Sequence, residues 1–303
     1  MTVVVSVFVS DILPIFLIAG IGYLLAGRLQ ANVKTLAHAV FYAMAPCFAF
    51  RMLISSRMTG PDAGRMAVLA ILVAAVMGLL ARVAAIPFRL SRAELSGFLL
   101  VVIFSNGGNY GLPVVLFAFG NEALAHGTIY FVTSSILTYT IGVFLAAAGR
   151  RSIRRAILGI VRIPAIYGVA AAGLVTLTGV SIPVALMRPV QLLADAAIPV
   201  MILVLGMHLQ RATLPKRPGV VATAVALSLA ATPAVALGLT RLLSISGPGR
   251  QAGVALASMP TAVITTILAL EFDVEPAFVT NVVFITTVLS PLTLAPLIAY
   301  LSR

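Results

Sequence analysis

Residues 95–120 read LSGFLLVVIFSNGGNYGLPVVLFAFG. Apolar side chains open and close this stretch, and its middle holds Ser105, Asn106, Gly107, Gly108, Asn109, Tyr110, Gly111 and Pro113. These residues disfavour continuous helix: an interior glycine costs about 1 kcal/mol and an interior proline about 3. Ten residues of helix from Leu95 rise about 15 Å, half of a roughly 30 Å hydrocarbon layer, so the interruption falls near the middle of a membrane. Main chain left unpaired at that depth is costly unless it packs within protein or lines a wet cavity. A helix broken here therefore predicts a cavity. Gly107 and Gly111 also have the GxxxG spacing of close helix packing. Two asparagines, three glycines and a proline between 106 and 113 fit packing poorly and point to a site.

The rest of the chain supports a membrane setting. Of its 303 residues 61% are hydrophobic and 9% charged, with a mean hydropathy of +1.14, whereas soluble domains carry about 25% charged residues. At roughly 20 residues per spanning helix, the length accommodates ten spans, near 11–27, 36–55, 66–87, 95–119, 127–148, 162–180, 189–209, 219–243, 250–271 and 277–300. No separate soluble domain fits. The expected class is an all-α polytopic membrane protein.

The net charge of +12 sits at the ends of apolar runs, without the basic, aromatic-interleaved face of a nucleic-acid binder. It reads as topology. Arg28/Lys34, Arg89/Arg92, the run Arg150, Arg151, Arg154 and Arg155, and Arg211/Lys216/Arg217 all fall on one side, which the positive-inside rule makes cytoplasmic. The expectation is a multi-pass protein of the cell's inner (plasma) membrane with both termini outside. The acidic turn 271–276 also falls inside, and acids weigh little in this rule. The N-terminus has no basic n-region and continues as apolar sequence, so it reads as part of the first span. Cys47 is the only cysteine and lies in an apolar run, which excludes an intramolecular disulfide and any CxxC motif.

Five spans precede the Arg150–Arg155 connection and five follow it. Five is odd, so the second half enters the membrane inverted. At a constant offset of 153 residues Pro46 meets Pro199, Ser105 meets Ser258, Glu122 meets Glu275, and Phe131-Val-Thr-Ser134 meets Phe284-Ile-Thr-Thr287. The coincidence of these uncommon residues predicts two inverted five-helix repeats, 1–148 and 162–303, joined by a basic cytoplasmic connection at 149–161.

The second-half counterpart of the first break is Ser258-Met259-Pro260-Thr261, with Pro260 suited to the first turn of a half-helix as Pro113 is. Two half-helices then begin close together at mid-membrane, and their free amides and positive dipole ends favour an anionic group such as a carboxylate. Asn106 and Asn109 add amide donors, and Ser105, Ser258 and Thr261 add hydroxyls.

The stretch Ser105-Asn-Gly-Gly-Asn-Tyr-Gly-Leu-Pro113, followed by Ser258-Met-Pro-Thr-Ala262, resembles the auxin efflux carrier family, which includes plant auxin exporters and bacterial malate and malonate permeases. The likeness extends over essentially the whole chain. Arg162-Ile-Pro-Ala-Ile-Tyr167 is similar to the family's Asn-Pro-x-x-Tyr element, with Ile163 where asparagine is common. The long central loop of the plant exporters is absent. The resemblance implies ten helices as an inverted repeat with broken crossover helices 4 and 9. It further implies a scaffold of helices 1, 2, 6 and 7, a transport domain of helices 3–5 and 8–10, a homodimer, and organic-anion transport without ATP. The wider superfamily includes sodium-coupled bile-acid carriers.

Most acids lie at span ends: Asp11, Asp62, Glu94, Glu122, Glu271, Asp273 and Glu275. Asp195 lies inside the seventh span and has two readings, proton coupling through a desolvated carboxyl or a wetted, hydrogen-bonded position near the outer interface. Arg51 could steer an anion or snorkel to headgroups, and Arg82 and Arg241 read likewise. Thr133/Ser134 and Thr286/Thr287 could line a cation site or bond back to their own helices. His38, His126 and His208 form no compact metal motif, and no cofactor is expected. GxSxG and HExxH are absent, which argues against an intramembrane enzyme. The expected function is secondary transport of a small carboxylate, with a sodium-coupled carrier or an uncoupled channel or sensor as alternatives.

Overall fold

The computed structural model describes residues 2–29, 32–55, 59–146, 164–209 and 217–303. The Arg150–Arg155 connection, Arg162, Ile163, Arg211 and Lys216 lie outside the described residues. Everything described is helix or short connection, with one isolated pair of bridged residues and no strand.

Among the described residues seven helices are long and apolar enough to cross a membrane: α1 (Val3–Arg28), α2 (Val33–Ile54), α3 (Gly60–Phe88), α5 (Gly107–Ala146), α7 (Val184–His208), α8 (Pro218–Leu242) and α11 (Pro276–Leu301). The remainder are shorter: α4 (Arg92–Ile103), α6 (Pro164–Thr178), α9 (Gly247–Ala257) and α10 (Ile264–Phe272). Large apolar side chains such as Leu177, Leu192, Leu242 and Leu292 stand exposed, as a lipid-facing surface requires. The chain is a multi-pass membrane protein.

Two boundaries differ from expectation. The first helix begins at Val3 instead of 11, so Asp11 stands inside it and not at its end. The long α5 is divided at Gly120, whose φ of 76° and ψ of −170° break the helical path. That conformation is open to glycine at no steric cost, and the fourth and fifth expected spans meet there.

Proline shapes the helices in a regular way. Five-residue π turns occupy Phe8–Ile12, Val40–Met44, Gly107–Gly111 and Leu227–Ala231, and each ends two residues before a proline: Pro14, Pro46, Pro113 and Pro233. A proline ring collides with the carbonyl four residues back and offers no N–H. Widening the preceding turn re-aims that carbonyl and keeps the helix going. A fifth such turn, Thr138–Gly142, has no proline behind it.

Small residues set the closest approaches. A Cβ added to Gly206 on α7 would collide with the Ala19 carbonyl on α1, and one on Gly22 of α1 would collide with the Leu203 carbonyl on α7. Gly168 on α6 meets the Pro46 carbonyl on α2 in the same way. Because lipid is as apolar as the helix faces, such backbone-to-backbone packing is what holds membrane helices together. These contacts join α1 to α7 and α2 to α6, while α5 packs against α9 and α3.

Candidate functional site: a junction of two broken helices

The helix that begins at Arg92 stops at Ile103, and Phe104 turns to extended geometry (φ −105°, ψ 109°). Helix resumes at Gly107. In the second half α9 ends at Ala257 and α10 begins at Ile264. The two gaps lie side by side, with Ser105 and Thr261 bridged antiparallel. The Asn106 N–H donates to the Pro260 carbonyl at 2.7 Å, and the Ala262 N–H donates to the Phe104 carbonyl at 2.9 Å.

Hydroxyls close the helix ends that precede the gaps. Ser105 Oγ donates to the Leu256 carbonyl of α9 at 2.9 Å, and Thr261 Oγ1 donates to the Val101 carbonyl of α4 at 2.8 Å. The Thr261 N–H in turn donates to Thr286 Oγ1 on α11 at 3.2 Å. Carbonyls that an α-helix leaves unpaired in its last turn are thus satisfied by the opposite chain segment. Protein-to-protein bonds replace the water that is missing at this depth.

Other groups remain free. The first amides of a helix have no acceptor one turn back. At the start of α5 Gly107 donates to Ser105 and Gly111 to Asn106, while Gly108, Asn109 and Tyr110 have no main-chain acceptor among the described residues. At α10 the same holds for Val263 and Ile264; Thr265 donates to Ala262 and Thr266 to Val263. The Asn106 side-chain amide nitrogen is buried with no partner, in a residue only 5% exposed. An orphaned buried donor costs free energy unless something accepts from it. Asn109 is half-buried, and its side chain makes no hydrogen bond among the described residues.

Apolar and aromatic groups wall the junction. Gly107 and Gly108 lie under the Phe131 ring, and a Cβ on Gly111 would meet Leu256 and Met259. These glycines are therefore packing positions as well as a break. Tyr110 is fully buried, its hydroxyl accepting from Ser290 Oγ at 3.1 Å and its ring edge-on to Phe16 at 5.9 Å between centroids. Pro113 falls in the first turn of regular α-helix after the π turn, as expected.

Pro260 corrects the expectation: it lies four residues before α10, in the bridged segment, where only its carbonyl is used. The register also differs in three dimensions. Ser105 pairs in role with Thr261, three residues beyond Ser258, whose hydroxyl bonds back to Val254 at 2.7 Å.

The remaining candidates fall as follows. Thr133 bonds back to Ile129 at 2.9 Å and Thr287 to Val283 at 2.7 Å. Thr286 bonds back to Val282 at 2.7 Å while accepting from Thr261. Ser134 is half-buried in the same turn of α5 as Thr133. Asp195 on α7 pairs with Arg51 on α2, an assignment that neither residue suggested by itself because 144 positions separate them. His126 Nδ1 lies 3.0 Å from the Glu122 carbonyl. Phe16, Phe131, Leu256 and Ser290 were absent from the sequence-derived site. Phe131 alone gave a signal, as the first residue of the Phe-Val-Thr-Ser motif.

The chain is similar in sequence to known membrane transport proteins. A family described as membrane transport protein matches residues 7–156 and 148–298, and the auxin efflux resemblance fits that family. A protein of Methanothermobacter thermautotrophicus named an uncharacterized transporter is 24% identical over 289 residues, 93% of this chain and 94% of its own length. A second protein so named, from Methanocaldococcus jannaschii, is 25% identical over 214 residues, 69% of each chain.

Proposed function

Because the chain belongs to the membrane transport protein family, we propose that it is a secondary transporter that carries a small organic anion, a mono- or dicarboxylate, by alternating access. The observation that carries this reading is the junction itself: two half-helices start beside each other with unpaired amides, next to the orphaned Asn106 amide nitrogen. Positive dipole ends and preorganised N–H donors suit a carboxylate. The Phe131 ring and Leu256 suit the apolar body of an organic acid.

The finer architecture belongs to the same proposal. Ten spans form two inverted five-helix repeats, with α4/α5 and α9/α10 as the broken crossover helices. A scaffold of α1, α2, α6 and α7 supports a moving unit made of the rest, and the protein works as a homodimer with both termini outside the inner membrane. The tight α1–α7 and α2–α6 contacts support a rigid scaffold. The auxin efflux and bile-acid carrier resemblance favours the same arrangement. Asp195 and the hydroxyl pairs Thr133/Ser134 and Thr286/Thr287 are the candidates for coupling to protons or sodium, and transport by Asp195→Asn that still follows the proton gradient would reject the first.

Counterflow in proteoliposomes tests the proposal. Vesicles loaded with malate, malonate, lactate or indole-3-acetate should accelerate uptake of the same labelled acid, with saturation. Uptake without trans-acceleration indicates a channel. Chemical conversion without movement indicates an enzyme, and either outcome overturns the reading.

A further inference from the structure

Three ion pairs join described residues, and they differ in place. Arg65–Asp62, at 3.6 Å, lies within the first turns of α3. Arg217–Glu94 joins the ends of α8 and α4. Arg51–Asp195 joins the last turn of α2 to the middle of α7. Asp195 stands eleven residues from Val184 near the centre of α7, about 16 Å along the axis. Arg51 lies one turn before the end of α2 and reaches inward to it.

The pair is not sealed by protein, since the Asp195 side chain is 63% exposed and that of Arg51 29%. An exposed carboxylate at this depth is strongly disfavoured against hydrocarbon. The open side of the pair therefore faces water or the membrane interface, not hydrocarbon. Both helices also touch the junction: α7 packs on Gly107–Gly111, and α2 packs on α5. The pair thus stands on the two helices that pack against the unpaired amides.

A guanidinium binds carboxylates through paired, charge-assisted hydrogen bonds, and the partner it holds here is a carboxylate of its own chain. We propose that Arg51 is the residue that first receives the substrate's carboxylate, and that Asp195 is its internal stand-in, displaced when the anion arrives. The exchange keeps the Arg51 guanidinium paired throughout, and the released Asp195 carboxylate, 63% exposed, turns to water. A neutral or cationic solute cannot make it, and the pair acts as a selectivity filter for anions. This inference rests on the reading of the junction as a carboxylate site.

The test measures uptake of malate, malonate, lactate and indole-3-acetate by proteoliposomes of the wild type, Arg51→Gln, Arg51→Lys and Asp195→Asn. Arg51→Gln should raise KM about tenfold or more, as loss of a charge-assisted hydrogen bond implies, with the maximal rate little changed. Arg51→Lys should fall between it and the wild type. Asp195→Asn should lower KM, because the internal competitor is gone. A merely structural pair predicts instead that Arg51→Gln and Asp195→Asn lower the melting temperature alike and shift KM in the same direction, which would overturn the inference. A wild-type KM in Arg51→Gln would overturn it as well, with the transport proposal intact. Movement of none of the four acids by the wild type would sink that proposal first.

Discussion

Ser105 and Thr261 cap each other's helices: the Ser105 hydroxyl donates to Leu256 at the end of α9, and the Thr261 hydroxyl donates to Val101 at the end of α4. Each break thus uses the other segment's hydroxyl, although the Leu256 carbonyl also accepts from the Met259 N–H at 3.4 Å. Ser105→Ala and Thr261→Val should each lower stability by about 1–3 kcal/mol, the cost of orphaning a buried acceptor. The double variant should cost less than the sum, because the second carbonyl is already free to rearrange. Thermal melts of the detergent-purified variants measure this, and full additivity would mean that the two caps act independently.

The first gap was legible in the sequence because glycine, asparagine and proline have no other business in an apolar run of that length. The second follows from Ser258-Met-Pro-Thr261, but Pro260 lies in the bridge and not in the first turn of a half-helix. A proline without an N–H is harmless in a helix's first turn and equally harmless in a bridge where only its carbonyl bonds, and residue type alone does not separate the two. The π turns before Pro14, Pro46, Pro113 and Pro233 were invisible for a related reason. Hydropathy reports burial, whereas the π turn answers a local collision between the ring and a carbonyl. The Arg51–Asp195 pair was illegible because its members meet only through the packing of α2 on α7.

That packing has a sharp test in the glycines of the α1–α7 contact. Gly206→Ala puts a methyl group into the Ala19 carbonyl and Gly22→Ala puts one into the Leu203 carbonyl. Main chain cannot rotate away as a side chain can, so the helices must separate. Each substitution should destabilise by about 1–3 kcal/mol or more, the range of overpacked cores. Gly173→Ala on α6, where nothing lies within 4 Å, serves as the control and should be neutral or stabilising by up to about 1 kcal/mol. Equal melting temperatures for all three would mean that α1 and α7 pack less closely than described.

Acid should weaken the start of α4. Glu94 accepts from the Ser91 N–H at 2.8 Å, pairs with Arg217, and has Ser91 as N-cap in a capping box. The Ser91 amide above all holds the Glu94 carboxyl below its ordinary value of 4.5; burial opposes it, and the Arg217 guanidinium adds to the lowering. A carboxyl lowered in the folded state contributes stability above its unfolded value and loses it as pH falls through the folded one. Glu94→Gln keeps the capping box and removes the charge, so it should lower the melting temperature at neutral pH by an effect of about 0.3–1 kcal/mol. The difference from the wild type should shrink once pH drops below 4.5 and vanish under stronger acid. A difference that persists unchanged into strong acid would assign the effect to shape instead of charge.

Asn106 offers the most direct separation of function from folding. Its amide nitrogen is buried without a partner, so Asn106→Ala removes a group that no neighbouring protein atom satisfies. Deleting an unsatisfied buried donor is near neutral or stabilising, whereas deleting a donor to a charged ligand costs about 1.5–3 kcal/mol, or roughly 10- to 100-fold in affinity. The variant should melt at or slightly above the wild-type temperature while its KM for the transported acid rises by that factor. Asn109→Ala, at a half-buried position with no hydrogen bond among the described residues, should raise KM in the same direction. Ligand protection links the two readouts, because an anion at 100 times its dissociation constant adds about 2.7 kcal/mol to stability, and Asn106→Ala should lose about half or more of that gain at the same concentration. If both variants transport with unchanged KM and keep full protection, the anion binds away from the junction.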